Sequence, residues 1–169
     1  MITINHEIIE KNDKIMRRLV RDWTYSPSSP ETLLVAFCLK NQKLIELLNK
    51  YPYVVDFEYE INPGYTNLGK GDLILADAKN NLLAAEFKYI DLISSGKTAR
   101  TKRNKDRGKV QEQALIYANM LQRKYPKAEV NFCSITNEEI SWELRMKFKE
   151  FVEKKQTDWV NREANLFPI

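Results

Sequence analysis

Gly71-Asp72-Leu73-Ile74-Leu75-Ala76 and, after a short polar break, Leu82-Leu83-Ala84-Ala85-Glu86-Phe87-Lys88-Tyr89-Ile90 are the stretches whose reading decides the fold. Each is a short apolar run of the kind that forms a strand buried on both faces. The first has an acid at its start. The second has one glutamate and one lysine two positions apart, so their side chains share a face. Charges inside an apolar strand are costly unless they are paired or engaged by a metal.

Ala78-Lys79-Asn80-Asn81 supplies the turn between the runs. A three-residue loop at 79–81 sets Asp72 opposite Lys88 and Ile74 opposite Glu86. A five-residue loop at 77–81 sets Asp72 opposite Glu86. Either way the three polar side chains fall on one face. A two-residue loop at 80–81 would send Asp72 to the other face.

An acid followed by acid-x-lysine on the next strand suits metal-dependent phosphodiester hydrolysis. That reaction needs an activated water, a positioned phosphate and relief of charge on the leaving oxygen, all of which Mg²⁺ or Mn²⁺ can provide. Mg²⁺ keeps several waters, so two carboxylates suffice to hold it. Asp72 and Glu86 are the expected ligands, and Lys88 would orient or activate the water and offset negative charge. Burial lowers a lysine pKa and nearby carboxylates raise it, and the sequence leaves that balance open. The structural alternative is a Lys88–Glu86 or Lys88–Asp72 ion pair. Asp77, a rival first acid, reads as a turn residue.

The pattern Gly71-Asp72, then Glu86-x-Lys88, resembles the PD-(D/E)xK nuclease superfamily, with glycine where the name has proline. Gln113-Ala114-Leu115-Ile116-Tyr117 is similar to the Gln-x-x-x-Tyr motif of its RecB-like and resolvase-like branch. The resemblance covers roughly residues 31–136. It implies an α/β fold with a restriction-endonuclease-like core, a central mixed β-sheet flanked by helices in the order αβββαβ, with extra N- and C-terminal helices. It implies the Phe87 carbonyl as a further metal ligand, and Gln113 and Tyr117 beside the active site. It also implies a glutamate on the helix before the first strand, for which Glu31 and Glu46 are the candidates. Glu31 lies at the inward edge of the apolar stripe Leu34, Phe37–Cys38, Leu44–Ile45, Leu48. A carboxylate in a first helical turn also favours the helix dipole whatever its function.

Around this core, Ile4, Ile8, Ile9, Ile15 and Leu19 space a helix to about Trp23, and Ser26-Pro27-Ser28-Ser29-Pro30 breaks it. Ser29 caps a second helix, with Pro30 at its first position, running to about Lys50. Tyr53–Ile61 alternates apolar and acidic, which predicts a strand with Glu58 and Glu60 toward solvent, ending in a turn at Asn62-Pro63-Gly64. A helix over about Lys109–Lys124, a strand near Glu129–Ile135 and a charged helix over about Glu138–Asn161 complete the order. Trp142, Phe148, Phe151 and Trp159 on the last helix read as a cover for the sheet.

Lys97, Arg100, Lys102, Arg103, Lys105, Arg107 and Lys109 stand against one acid, Asp106. This reads as a mobile loop that grips phosphates without reading sequence. The expected partner is DNA, with RNA an alternative. A homodimer would bring two sites to two strands. The alternative function is a catalytically silent nuclease-fold module that binds nucleic acid or a protein.

The bulk numbers agree with an ordered globular chain. The 169 residues suit one domain, and 43% apolar residues suit an ordered core. A net charge of +4 does not by itself specify a partner. No apolar run spans a membrane and no signal-peptide pattern opens the chain, so an intracellular, non-secreted protein is expected. Cys38 and Cys133 are too few for an iron–sulfur cluster and read as reduced core residues. With His6 as the only histidine, which reads as a surface or packing residue, no Ser-His-Asp or Cys-His site can be drawn. No P-loop or Rossmann glycine pattern occurs.

Overall fold

The computed structural model describes residues 5–24, 29–60 and 70–166. Its elements are α1 (His6–Trp23), α2 (Pro30–Lys40), a 3₁₀ turn (Gln42–Leu44), α3 (Glu46–Asn49), β1 (Tyr53–Glu60), β2 (Lys70–Ala76), β3 (Leu82–Lys88), α4 (Lys97–Lys124), β4 (Val130–Thr136) and α5 (Trp142–Leu166). Ile4, the break at Ser26-Pro27-Ser28, the strand end at Ile61 and the turn at Asn62-Pro63-Gly64 lie outside the described residues. Among the described residues, no helix is long and apolar enough to cross a membrane.

The strands form one mixed sheet in the order β1-β2-β3-β4. β1, β2 and β3 are antiparallel, and β4 runs parallel to β3. Ala76 pairs with Leu82 and Leu73 with Ala85, so the five-residue loop at 77–81 is the one formed. Asp77 organises that loop. Its Oδ1 accepts from Lys79 N and Asn81 N, both at 2.8 Å, and its Oδ2 accepts from Asn81 Nδ2 at 2.8 Å. Asn80 supplies the left-handed residue, φ 65°, a conformation asparagine tolerates.

Alternation divides the core into two clusters. Leu73, Leu75, Leu83, Ala85 and Phe87 face α2 and α5, where Leu34, Phe37, Cys38, Leu144 and Phe148 meet them. Ile74, Ala76, Leu82 and Ala84 face α4, packing with Tyr117, Ala118 and Leu121. α1 gives Val20 to the first cluster and Ile9 to the second, so it lies across the β1 edge. Asp13 of α1 takes the Val54 amide at 2.7 Å, occupying a donor that an edge strand would otherwise leave open.

Several expected boundaries and faces are corrected. The second helix stops at Lys40, not near Lys50. Asn41 bonds back to Phe37 O at 2.9 Å, an alternative to the next helical turn. Gln42 then turns inward and donates to Leu48 O and Tyr51 O, at 3.1 and 2.8 Å. On α1 the buried face is that of Ile9 and Val20, while Ile8, Ile15 and Leu19 are exposed. On α5, Phe148 is buried and Trp159 bonds Thr24 O at 3.2 Å, but Trp142 is exposed.

The largest correction concerns 97–109, which is not a loop but the first half of α4. Two arginines tether it. Arg103 donates to Ser94 O at 2.8 Å, and Arg107 forms a bidentate pair with Glu138, both bonds 2.7 Å. With buried residues from Val110 onward holding the second half, helix formation propagates into a stretch rich in good helix formers.

Replacing Asp77 by alanine removes three hydrogen bonds to one carboxylate and is expected to cost about 1–3 kcal/mol. Urea denaturation would measure it, and an unchanged midpoint would show that the loop register is set without Asp77.

Candidate active site

The β2–β3 ladder last pairs Leu73 with Ala85. At the next position the strands part, and each backbone donor is taken by a carboxylate of the opposite strand. Asp72 N donates to Glu86 Oε1 at 3.0 Å, and Phe87 N donates to Asp72 Oδ2 at 2.7 Å. The two acids thus hold each other's strands where the sheet opens. The opening is a cleft of about 240 Å³ lined by Glu31, Asp72, Glu86, Phe87, Lys88, Asp106, Lys109, Val110 and Gln113.

Most of the expected site residues are therefore brought together. Glu86 is 3% exposed. Burial, with the Asp72 charge adding to it, pushes its carboxyl up to about 8. Burial likewise pushes Asp72 up to about 6, against the opposing pull of the Phe87 amide. Phe87 puts its ring in the α2–α5 cluster, so its backbone borders the cleft. Gln113 lines the cleft, and Tyr117 lies one turn on, buried, with its pKa raised by burial and by the charges of Glu86 and Asp72.

Lys88 pairs with neither strand acid. Its Nζ hydrogen-bonds Glu31 Oε1, and this bond is the main reason its pKa lies above the ordinary lysine value, burial opposing. Lys88 is a cation at neutral pH, which settles the balance the sequence left open. Glu31 is engaged by Lys88, while Glu46 is exposed on α3 and bonded to Lys50 at 3.2 Å.

Two acids escaped the sequence reading. Asp106 lines the cleft from α4, where its spacing with Val110, Gln113 and Tyr117 (i, i+4, i+7, i+11) was a readable signal. Glu58 was expected to face solvent. A bulge between Val54 and Asp56 shifts the β1 register, so that Phe57 pairs with Leu73 and Tyr59 with Gly71. Glu58 thus comes opposite Asp72 and adds its charge to the forces raising both Asp72 and Glu86. Continuing the first register would have put Phe57 there instead. Glu58 has φ 48°, uncommon for a residue with a side chain.

The seven cations of residues 97–109 divide by helical phase. Lys102, Lys105 and Lys109 (i, i+3, i+7) are exposed along one flank, with Lys109 reaching the cleft. Arg100, Arg103 and Arg107 repeat the spacing on the other, and two of them are the tethers described above. Lys97 and Arg100 line a second depression with the segment Leu92–Gly96. His6 is remote from the acids and packs edge-on to Tyr53, 5.0 Å between rings.

No family model, curated protein or solved structure gives a significant match to the chain.

Among the described residues, no group of three or more His, Cys, Asp or Glu side chains is set to hold a metal. What a cation would meet is the Asp72–Glu86 pair. Two mutually repelling carboxylates in a poorly hydrated cleft fit a divalent ion that keeps most of its waters, and the cleft has room for those waters.

The raised pKa values have a consequence for stability. Between pH 4.5 and about 8 the native protein holds protons that the unfolded chain has released. Metal-free stability therefore falls as pH rises through that window. Glu86→Gln keeps an acceptor for the Asp72 amide and removes the charge. In EDTA at pH 8 it is expected to be more stable than wild type by on the order of 2 kcal/mol, roughly 4–8 °C in Tm, with the difference vanishing near pH 4. Thermal melts across pH check this, and a variant less stable than wild type at pH 8 would contradict it.

Proposed function

We propose that this protein is a Mg²⁺- or Mn²⁺-dependent nuclease that hydrolyses DNA phosphodiester bonds, built on a restriction-endonuclease-like core. The observation that carries the reading is the reciprocal Asp72–Glu86 pair where β2 and β3 part, with Lys88 on the same face of β3. The order α2, β1-β2-β3, α4, β4 supports the core assignment, as it is the αβββαβ order that the resemblance implies.

Cleft size separates a polymer substrate from a small one. Pockets that bury a small ligand run to about 300–1,000 Å³. A cleft of about 240 Å³ admits a hydrated cation and a phosphoryl group, not a whole nucleotide. The rest of the substrate would lie outside, where Lys102, Lys105 and Lys109 offer a line of exposed charge to successive phosphates.

A divalent cation held by Asp72 and Glu86, with the Phe87 carbonyl, would supply Lewis acidity and a more acidic water. Lys88, charged and steadied by Glu31, donates to the phosphoryl oxygens and offsets the charge that gathers there. Gln113 and Tyr117, stacked on α4 over the acids, fix the distance between helix and cleft.

Purified protein given linear and circular, single- and double-stranded DNA with Mg²⁺ or Mn²⁺ should cleave, and EDTA should stop it. Lys88→Ala should lower the rate roughly 10²–10³-fold without loss of folding, and Glu86→Ala should abolish it. Unaltered activity in either variant would overturn the assignment. Lys102→Ala with Lys105→Ala should lessen the steepness of log affinity against log salt by about 2. Filter binding across salt concentrations measures this, and an unchanged slope would remove the lysine flank from the contact surface.

A further inference from the structure

We propose that Leu92 and Ile93 form an apolar wedge that enters between bases of the bound nucleic acid and unstacks them beside the acid cleft. The proposal rests on the nucleic-acid reading above and adds to it a demand on the substrate: a base step that can be opened.

Ile93 is 92% exposed and Leu92 47% exposed. One exposed apolar side chain on a loose loop would mean little. These two stand side by side on a segment bonded on both sides of them. Ile90, fully buried, is held on both its backbone groups by the buried Asn137 side chain, at 2.6 and 3.1 Å. Asp91 then accepts from Ile93 N at 2.9 Å, from Ser94 N at 3.2 Å and from the Ser94 hydroxyl. Arg103 reaches back from α4 to Asp91 O and Ser94 O, at 3.3 and 2.8 Å. Gly96 closes the turn at φ 98°, a conformation that other residues rarely adopt. The chain thus builds a firm platform whose tip is the most exposed large apolar side chain among the described residues.

The surroundings indicate the occupant. Leu92 and Ile93 border a depression of about 500 Å³ shared with Lys97, Arg100 and Arg103. Apolar tips set among cations match a ligand with anionic rails and apolar planes between them, which is the build of a nucleic acid. Side chains of Leu and Ile inserted at base steps are a known means of unstacking and kinking a duplex. An apolar protein partner would find the same tip beside the charges of Lys97, Arg100, Arg103 and Asp91.

The position suits a role in cleavage. Lys88 lies four residues before Leu92 on the same chain segment. On α4, Arg100 borders the wedge depression and Lys109 the acid cleft. These two lie on opposite sides of the helix, but the chain itself bounds the distance: the four residues from Lys88 to Leu92 span at most about 14 Å, about four phosphates of a B-form strand. A wedge at that distance opens the duplex before the strand passes the acids. Fully paired DNA would then be the demanding substrate, and single strands, mismatches and frayed ends the easy ones.

The test uses duplex oligonucleotides with 2-aminopurine scanned along one strand, bound in EDTA so that nothing is cut. Wild type should raise the fluorescence at one or two adjacent positions. The rise should be lost in Ile93→Ala and kept in Ile93→Leu, and Asp91→Ala, which frees the turn, should reduce it with Ile93 still present. A parallel cleavage assay should show Ile93→Ala losing activity on paired duplex and keeping it on single strands. If wild type binds the duplex without a rise, or Ile93→Ala gives the same rise, the wedge is overturned and the nuclease assignment stands on its own cleavage data. An Ile93-dependent rise without any metal-dependent cleavage would uphold the wedge and overturn the nuclease. Sedimentation showing a dimer that Ile93→Ala dissolves, with the rise unchanged, would overturn it in favour of a contact between copies. Failure to bind any oligonucleotide would overturn both readings.

Discussion

Asp72 and Glu86 sit side by side where two negative charges would repel, and Glu86 answers by holding its proton to about pH 8. Folding keeps them there because each carboxylate also takes a backbone N–H of the opposite strand, at 3.0 and 2.7 Å. Those bonds are available only at the step where the regular ladder has ended. The same step decides the rest of the local architecture. It makes the cleft, and the bulge in β1 brings Glu58, not Phe57, to the third position of the row. Three acids in line across three strands, with lysines on the neighbouring elements, form an arrangement in which charge complementarity is left incomplete inside the protein.

How much of this could be read in advance depends on the range over which each feature is decided. β2 and β3 were legible because a strand buried on both faces writes its own signature, and because alternation fixes relative faces without knowledge of the partner. Three loop registers were open, two of them with the same consequence, and the five-residue loop bonded by Asp77 is the one formed. Features decided at long range were not legible. The end of α2 depends on the Gln42 side chain finding two carbonyls up to nine residues away. The buried face of α1 depends on which side meets the β1 edge. Lys88 was weighed against the acids of β2 and β3, whereas its partner is Glu31, 57 positions away.

The basic segment shows the same limit in another form. Counting charges suggested a polar loop, and the count was correct. What it missed is phase: at 100° per residue the cations separate into a lysine flank and an arginine flank with Asp106 between them. The flanks have divided the work by chemistry. Arginine, with a planar fork of donors, holds Glu138 and the carbonyls of the 91–94 turn. Lysine, a compact and strongly hydrated charge, is left outward. Composition alone cannot separate a tether from a contact surface.

The orientation of α4 gives that segment a further property. A helix begins with unsatisfied N–H groups and the positive end of its macrodipole, and so favours acidic residues in its first turn. α4 does the reverse. It has no acid there, no side-chain cap at Gly96, and lysine and arginine crowd its opening turns. Positive side chains are stacked on a positive pole. The helix's own electrostatics therefore work against its opening turns, which rest instead on the Arg103 and Arg107 bonds. Dissolved anions screen that repulsion, which ties the start of the helix to ionic strength.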